Sequence, residues 1–248
     1  MPTYRKPESI IQPAGYCGGC GHGVVQRLIA ESIEELGLQD KVIACVDIAC
    51  AFWSQDALNW EFIAGPHGRC ASVATGVKKV RPDATVYVHA GDGCSYVIGL
   101  AETTYAAVRD IPITMIVVNN GIFGMTGGQM NLATTLLGDK TLSSKRGRQR
   151  ESMGHPVDML KAFATYDVEF LARGALYDPK HIEQTKQFIK KGFENQRDGK
   201  GFSMIEVLSP CPTNWKMTPV QAMEKIKNET ELVFPVGVYA DRGGKDNG

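Results

Sequence analysis

The sequence has no excess of either charge: Lys plus Arg and Asp plus Glu both number 27, a formal net charge of zero over 248 residues. No global field draws such a chain to nucleic acid or to an anionic membrane, so neither is expected as a partner. No apolar run approaches the roughly 20 residues that a helix needs to cross a bilayer. There is no signal-peptide pattern, and the seven cysteines are odd in number. Both facts count against a secreted disulfide framework and make a cytoplasmic location the expectation. No strand-linked Gly-x-Gly-x-x-Gly appears, which counts against a nicotinamide-dependent dehydrogenase. No internal repeat is evident.

What is present is an alternation of helical and strand patterns. Periodicity and breakers place helices near Val24–Leu36, Gly68–Val80, Ser95–Arg109, Pro156–Thr165, Pro179–Glu194 and Pro219–Lys227. Strands are expected near Val42–Val46, Val86–Ala90, Ile113–Val118, Val168–Ala172 and Phe202–Leu208. This order predicts an α/β fold in which a mostly parallel sheet is covered by helices on both faces, a single domain over residues 1–248. Residues 121–154 form an irregular insertion too long for an ordinary connection, hence functional or interfacial. The polar, glycine-rich end, Asp241 to Gly248, reads as a frayed tail.

Within that pattern Gly91-Asp92-Gly93 is followed by one helix, one strand and then Asn119-Asn120-Gly121-Ile122. A helix between two parallel strands brings Asp92 and Asn120 to the same carboxyl edge of the sheet, where open α/β sheets bind ligands. Asp92 offers a charged oxygen and Asn120 a neutral one, a donor set for Mg²⁺ holding a diphosphate. Gly91 and Gly93 allow close backbone approach, and amides near Cys94 and Ser95 open the next helix toward an anion. Each motif alone reads more readily as a tight turn; together, in this order and spacing, they look like a thiamine diphosphate site. The loop Gly124-Met125-Thr126-Gly127-Gly128-Gln129 suits further diphosphate contacts.

Cys17-Gly18-Gly19-Cys20 offers two thiolate ligands just before a helix. Cys45, Cys50, Cys70, Cys94 and Cys211 are the candidates to complete a site, and Cys50 and Cys211 suit it best because both follow probable strands. Cys45 and Cys70 read as packing residues. Four thiolates hold zinc or a [4Fe-4S] cluster, and a Cys-x-x-Cys pair alone also serves as a redox dithiol. His67-Gly68-Arg69 precedes a helix. His67 is a candidate to bond the diphosphate or the reacting carbonyl, or else a capping or packing residue; Arg69 is a phosphate or carboxylate partner, or a solvated charge. The basic run from Lys140 to Arg150 reads as a solvated loop, with coenzyme A phosphates as the functional alternative.

Taken together, Tyr16-Cys17-Gly18-Gly19-Cys20-Gly21-His22-Gly23, Gly65-Pro66-His67-Gly68-Arg69, the Gly-Asp-Gly to Asn-Asn module, Met125-Thr126-Gly127-Gly128-Gln129-Met130 and Ser209-Pro210-Cys211 resemble the β subunit of 2-oxoacid:ferredoxin oxidoreductases, of the 2-oxoglutarate or branched-chain 2-oxo acid type. The resemblance implies that Cys17, Cys20, Cys50 and Cys211 hold a [4Fe-4S] cluster and that Asp92, Asn120 and the Ile122 carbonyl hold Mg²⁺. It implies that Gly93, Cys94, Gly124, Met125 and Thr126 line thiamine diphosphate and that His67 acts near the substrate. The implied activity is oxidative decarboxylation of a 2-oxo acid with coenzyme A, giving acyl-CoA and CO₂, or the reverse, with electrons passing to ferredoxin. An α subunit carrying the pyrimidine-binding domain and its activating carboxylate is the implied partner, with γ and δ subunits as further candidates. Asp47-Ile48-Ala49-Cys50 departs from the family's more usual Gly-Ile-Gly-Cys. A non-redox thiamine decarboxylase or ligase subunit and a zinc-stapled assembly subunit are the competing readings.

Overall fold

The computed structural model describes residues 5–244. In chain order the described elements are α1 (Gly21–Glu35), β1 (Val42–Val46), β2 (Glu61–Ala64), α2 (Cys70–Val80), β3 (Thr85–Gly91), α3 (Leu100–Val108), β4 (Thr114–Asn119), β5 (Ile122–Phe123) and β6 (Gln129–Met130). There follow α4 (Arg150–Met153), α5 (Met159–Phe163), β7 (Phe170–Ala175), α6 (Pro179–Arg197), β8 (Ser203–Leu208), α7 (Pro212–Trp215), α8 (Pro219–Lys225), α9 (Glu231–Val233) and β9 (Gly237–Asp241). Seven strands form one sheet in the order β2-β1-β3-β4-β8-β7-β9. All pairs are parallel except β7 with β9.

Alternating side chains of the buried strands feed two cores. Val86, Val88 and Met115 pack with Ala71 and Ala74 of α2, Ala106 and Ala107 of α3 and Phe163 of α5. On the other face Tyr87, Ile116 and Ile205 pack with Val25, Ile29 and Ile33 of α1 and Phe193 of α6. Burial on both sides explains why β1, β3, β4 and β8 read as near-continuous apolar runs. The expected parallel sheet with helices on both faces is the observed architecture.

Local differences have identifiable causes. The helix expected over Ser95–Arg109 is instead a π-helical turn, Cys94–Ile98, and a separate α3. The break falls at Gly99, where a Cβ would lie 2.2 Å from the Gly68 carbonyl oxygen, so the chain turns there to admit the 67–68 loop. The helix expected over Pro156–Thr165 shortens to α5, whose start is fixed by the Asp158 side chain accepting from the Lys161 N–H. Two strands of the seven-stranded sheet escaped the pattern because both lie at its edges: β2 is largely exposed, and β9 is only half-buried.

Residues 121–154 contain the β5–β6 hairpin and α4. Arg148, within the run expected to be solvated, is only 3% exposed. Its guanidinium donates to the carbonyls of Thr135 (2.7 Å), Leu132 (2.8 Å) and His155 (2.7 Å) and so organises the insertion from inside. Fraying was expected from Asp241 onward, yet Asp241 ends β9 and Arg242 pairs with Asp110 (2.7 Å) and Glu169 (3.0 Å). The rest of that tail, residues 245–248, lies outside the described residues.

Candidate cofactor site

From β1 the chain moves outward to β2, whereas from β3 it moves the other way to β4. The carboxyl ends of β1 and β3 therefore send their loops apart and open a crevice between them, the usual ligand position in such sheets. Asp47 follows β1, Asp92 follows β3, Asn120 follows β4, and Cys211 lies three residues beyond β8. Parallel pairing alone gathers these chemically distinct residues along one edge.

Asp92 is 1% exposed. Its Oδ1 accepts from the Gly93 N–H (2.9 Å), and its Oδ2 accepts from the Gly121 N–H (2.9 Å) and the Thr134 hydroxyl. Burial nevertheless pushes its carboxyl up to about 7, because those bonds only partly offset its desolvation. Asn120 Oδ1 accepts from the Ile122 N–H (3.2 Å), closing the turn in which Gly121 takes φ +72°. Asn119 serves a different purpose: its Nδ2 donates to Glu206 Oε1 (3.0 Å), which also accepts from Arg173 Nε (2.7 Å). The paired asparagines thus divide into one anchored in the core and one left at the edge.

The following loop folds over this edge. A Cβ on Gly93 would fall 2.4 Å from the Phe123 ring, so the Gly-Asp-Gly turn and β5 approach as closely as glycine allows. A Cβ on Gly124 would lie 3.6 Å from Cys50 Sγ, 3.6 Å from Asn214 Nδ2 and 3.8 Å from Asn120 Nδ2. Gly124 therefore sits where the Asp92–Asn120 edge meets the cysteines. Asn214 on α7 clasps the junction, donating from Nδ2 to the Gly124 carbonyl (2.9 Å) and to Cys211 Sγ (3.5 Å). Met125 is exposed, and Thr126 donates its hydroxyl to Gln129 Oε1 (2.6 Å).

Cys17, Cys20, Cys50 and Cys211 converge although they come from three separate segments of the chain. The Gly21 N–H donates to the Pro210 carbonyl (3.3 Å), tying the start of α1 to the loop of Cys211. A Cβ at Gly21 would strike Ser209 Oγ at 2.1 Å, and one at Gly19 would strike Pro219 Cγ at 2.6 Å, so these glycines let the Cys-x-x-Cys turn reach that loop. Burial, with the neighbouring cysteines adding to it, pushes the Cys20 thiol up to about 12 and the Cys50 thiol up to about 11. Among the described residues, the three-donor groupings within 4.8 Å include none of these four cysteines. A tetrahedral zinc site would hold its sulfurs roughly 3.8 Å apart. Cys45 lies inside β1, where burial pushes its thiol up to about 12.

His67 Nδ1 lies 2.7 Å from Asp47 Oδ1, and its ring meets Phe123 edge-on at 6.1 Å. The Asp47 hydrogen bond, assisted by Cys94, pushes His67 up to about 10. Arg69 is exposed and pairs with Glu102 at 2.9 Å. His22, beyond the Cys-x-x-Cys turn, is buried with its Nδ1 3.0 Å from His89 Nε2. Asp47, Thr134, Glu206 and Asn214 carry no motif of their own. Asp47 and Asn214 had a faint signal in their placement beside Cys50 and Cys211; Thr134 and Glu206 had none.

These donors fit the groups the resemblance implies. A buried carboxyl left high by desolvation, beside a neutral amide oxygen and a glycine-lined turn, suits Mg²⁺ and a diphosphate. Four grouped cysteines, one bonded by an amide N–H, suit an iron–sulfur cluster.

The chain matches the family model of the thiamine pyrophosphate enzyme C-terminal TPP binding domain over residues 43–207. The fold and crevice are thus those of the diphosphate-binding half of a thiamine enzyme. It is 38% identical over 242 residues to the ketoisovalerate oxidoreductase subunit VorA of Methanothermobacter thermautotrophicus, covering 97% of this chain and 50% of that one. It is 32% identical over 224 residues to the 2-oxoglutarate synthase subunit KorB of Archaeoglobus fulgidus, covering 90% of this chain and 79% of the relative. The chain spans about half the length of the ketoisovalerate relatives it matches. In fold it resembles the 2-oxoglutarate:ferredoxin oxidoreductase of Magnetococcus marinus, with a TM-score of 0.76 at 22% identity over 96% of this chain and 86% of that one. The chain belongs to the 2-oxoacid:ferredoxin oxidoreductase family, among its thiamine-diphosphate-binding β subunits.

Proposed function

We propose that this chain is the catalytic core of a 2-oxoacid:ferredoxin oxidoreductase that converts a branched-chain 2-oxo acid and coenzyme A to acyl-CoA and CO₂, or runs the reverse. The observation that carries the proposal is the shared wall between two donor sets: Gly124 adjoins both Asn120 and Cys50, and Asn214 bonds both Gly124 and Cys211. An electron carrier on the cysteines would be immediate neighbour to a cofactor on the Asp92 edge. Identity to the ketoisovalerate enzymes supports the branched-chain substrate.

Asp92, Asn120 and the Ile122 carbonyl would hold Mg²⁺. The Gly93 and Cys94 amides with Gly124, Met125 and Thr126 would take the diphosphate, and Cys17, Cys20, Cys50 and Cys211 a [4Fe-4S] cluster. Thiamine diphosphate, when bound, supplies the electron sink that lets a 2-oxo acid lose CO₂. The protein's share is placement and field. His67, held cationic by Asp47, attracts the anionic groups of cofactor or substrate. Thr134 and the Gly93 and Gly121 amides fix Asp92 so that both of its oxygens keep one orientation. Asn214 steadies Cys211 by donating to its sulfur, and a cluster held by the four cysteines would supply one-electron transfer toward ferredoxin. An α subunit supplies the carboxylate that activates the aminopyrimidine, with γ and δ subunits completing larger assemblies. Seven free cysteines suit a reducing cytoplasm.

The test is the anaerobically purified complex, produced together with its genomic neighbours. Coenzyme A-dependent ferredoxin reduction should be fastest with 3-methyl-2-oxobutanoate, slower with 2-oxoglutarate and slowest with pyruvate. It should be accompanied by about four iron per copy of this chain after subtraction of clusters on the partners. An iron-free chain that decarboxylates 2-oxo acids without ferredoxin would overturn the redox assignment.

A further inference from the structure

Beside the Gly-Asp-Gly turn lies a second set of donors, distinct from the four grouped cysteines. Asp47 at the end of β1, Cys70 at the start of α2 and Cys94 at the start of the π-helical turn bring one ligand atom each within 4.8 Å of the others. They come from three different elements and are all buried, at 0%, 2% and 3% exposure. Sequence reading treats Cys70 as packing and gives Asp47 no role.

Two observations point beyond packing. The Cys70 and Cys94 sulfurs are 4.0 Å apart, well beyond a disulfide bond at about 2.05 Å and close to the roughly 3.8 Å between two thiolates on one tetrahedral zinc. Asp47 Oδ2 is buried with no hydrogen-bond partner, although a buried carboxylate oxygen ordinarily has one. The other oxygen, Oδ1, is taken by His67 Nδ1 at 2.7 Å. One oxygen engaged by histidine and the other left buried without a partner is the arrangement of a carboxylate oriented by its surroundings for a ligand.

We propose that Asp47, Cys70 and Cys94 form a second metal site that binds zinc. Two thiolates and one carboxylate are a donor set for a thiophilic divalent cation and a poor one for Mg²⁺ or Ca²⁺, which require oxygen. On binding, the two thiols lose their protons to solvent, and the ion takes Cys70 Sγ, Cys94 Sγ and Asp47 Oδ2. Water completes the tetrahedron. His67 then stands outside the metal, holding the Asp47 carboxylate. The ion ties the loop after β1, the start of α2 and the Gly-Asp-Gly turn together. It uses none of Cys17, Cys20, Cys50 and Cys211, and it stands whether or not those four carry a cluster.

The experiment is metal analysis and zinc K-edge X-ray absorption on the anaerobically purified complex, after equilibration with zinc and removal of the excess. The expected result is about one zinc per chain with two sulfur neighbours near 2.3 Å and the remainder nitrogen or oxygen. Cys70→Ser/Cys94→Ser should lose that zinc and keep the iron of the wild type, and Asp47→Asn should weaken zinc retention. Absence of bound zinc in the wild type overturns the proposal. So does zinc with four sulfur neighbours that survives Cys70→Ser/Cys94→Ser and disappears in Cys17→Ser, since it would then occupy the Cys-x-x-Cys site. The wild-type spectrum decides the matter even if a variant fails to assemble.

Discussion

Two groups of cysteines flank the same cofactor turn, and they are built differently. Cys17, Cys20, Cys50 and Cys211 are gathered by glycines and prolines: Gly19 against Pro219 and Pro212, Gly21 against Ser209 and Pro210. Cys17 remains exposed, and an amide of Asn214 faces Cys211. Cys70 and Cys94 are sealed in the core, 4.0 Å apart, with a carboxylate rather than an amide beside them. A wide, partly open thiol group suits a cofactor that exchanges electrons with a partner, whereas a tight, buried one suits an ion that holds elements together. Seven free thiols in one chain are therefore not one population.

The largest expected effect breaks this comparison at its open end. Cys211→Ser should remove the iron associated with this chain and abolish 2-oxo acid-dependent ferredoxin reduction, while the complex still assembles. Cys45→Ser is the control, because its thiol lies inside β1 among apolar side chains. It should lower stability by about 1–2 kcal/mol through a buried hydroxyl and leave the iron in place. Equal iron in Cys211→Ser and the wild type would remove Cys211 from the cluster.

How far each group was legible follows from how local its signals are. Cys-x-x-Cys, Gly-Asp-Gly and Asn-Asn are contiguous, and one helix between two parallel strands fixes where Asp92 and Asn120 emerge. The parallel sheet was legible for the same reason, since β1, β3, β4 and β8 are buried on both faces. Asp47, Cys70 and Cys94 are separated by tens of residues, and only the pairing of β1 with β3 and the docking of α2 bring them together. The break at Gly99 was hidden because it answers a distant backbone, the Gly68 carbonyl. Arg148 looked solvated because a run of neighbouring charges says nothing about which one turns inward toward carbonyls.

A smaller effect separates the two groups by acidity. His22, two residues after Cys20, and His89 form a buried pair 3.0 Å apart. Burial holds His22 down to about 4 and His89 well below its ordinary value. Unfolded, both titrate near 6.5, so the unfolded chain takes up protons that the folded chain refuses. The pair's neutral form therefore supports the fold fully above about pH 6.5, and that support is lost as the pH falls from there toward 4 and below. The slope is at most about 1.4 kcal/mol per pH unit for each histidine. Thermal unfolding of the anaerobic complex at pH 8, 6 and 5 should show the decline, and His89→Gln should flatten it. An unchanged slope in that variant would assign the acid sensitivity to other groups.

The smallest effect sharpens the comparison at its shared wall. Asn214→Ala removes the N–H donated to Cys211 Sγ and to the Gly124 carbonyl. A lost neutral hydrogen bond costs about 1 kcal/mol, so the fold should survive with a slightly lower melting temperature. Hydrogen bonds to sulfur raise a cluster's reduction potential, so an electron paramagnetic resonance titration should show the potential moving negative. Asn214→Gln, able to reach with the same amide, should recover part of the shift. Zinc bound at Asp47, Cys70 and Cys94 should keep its two-sulfur spectrum in both variants, because Asn214 bonds Gly124 and Cys211 instead. A lowered melting temperature with an unmoved potential would make Asn214 a clasp for the Gly124 loop and nothing more.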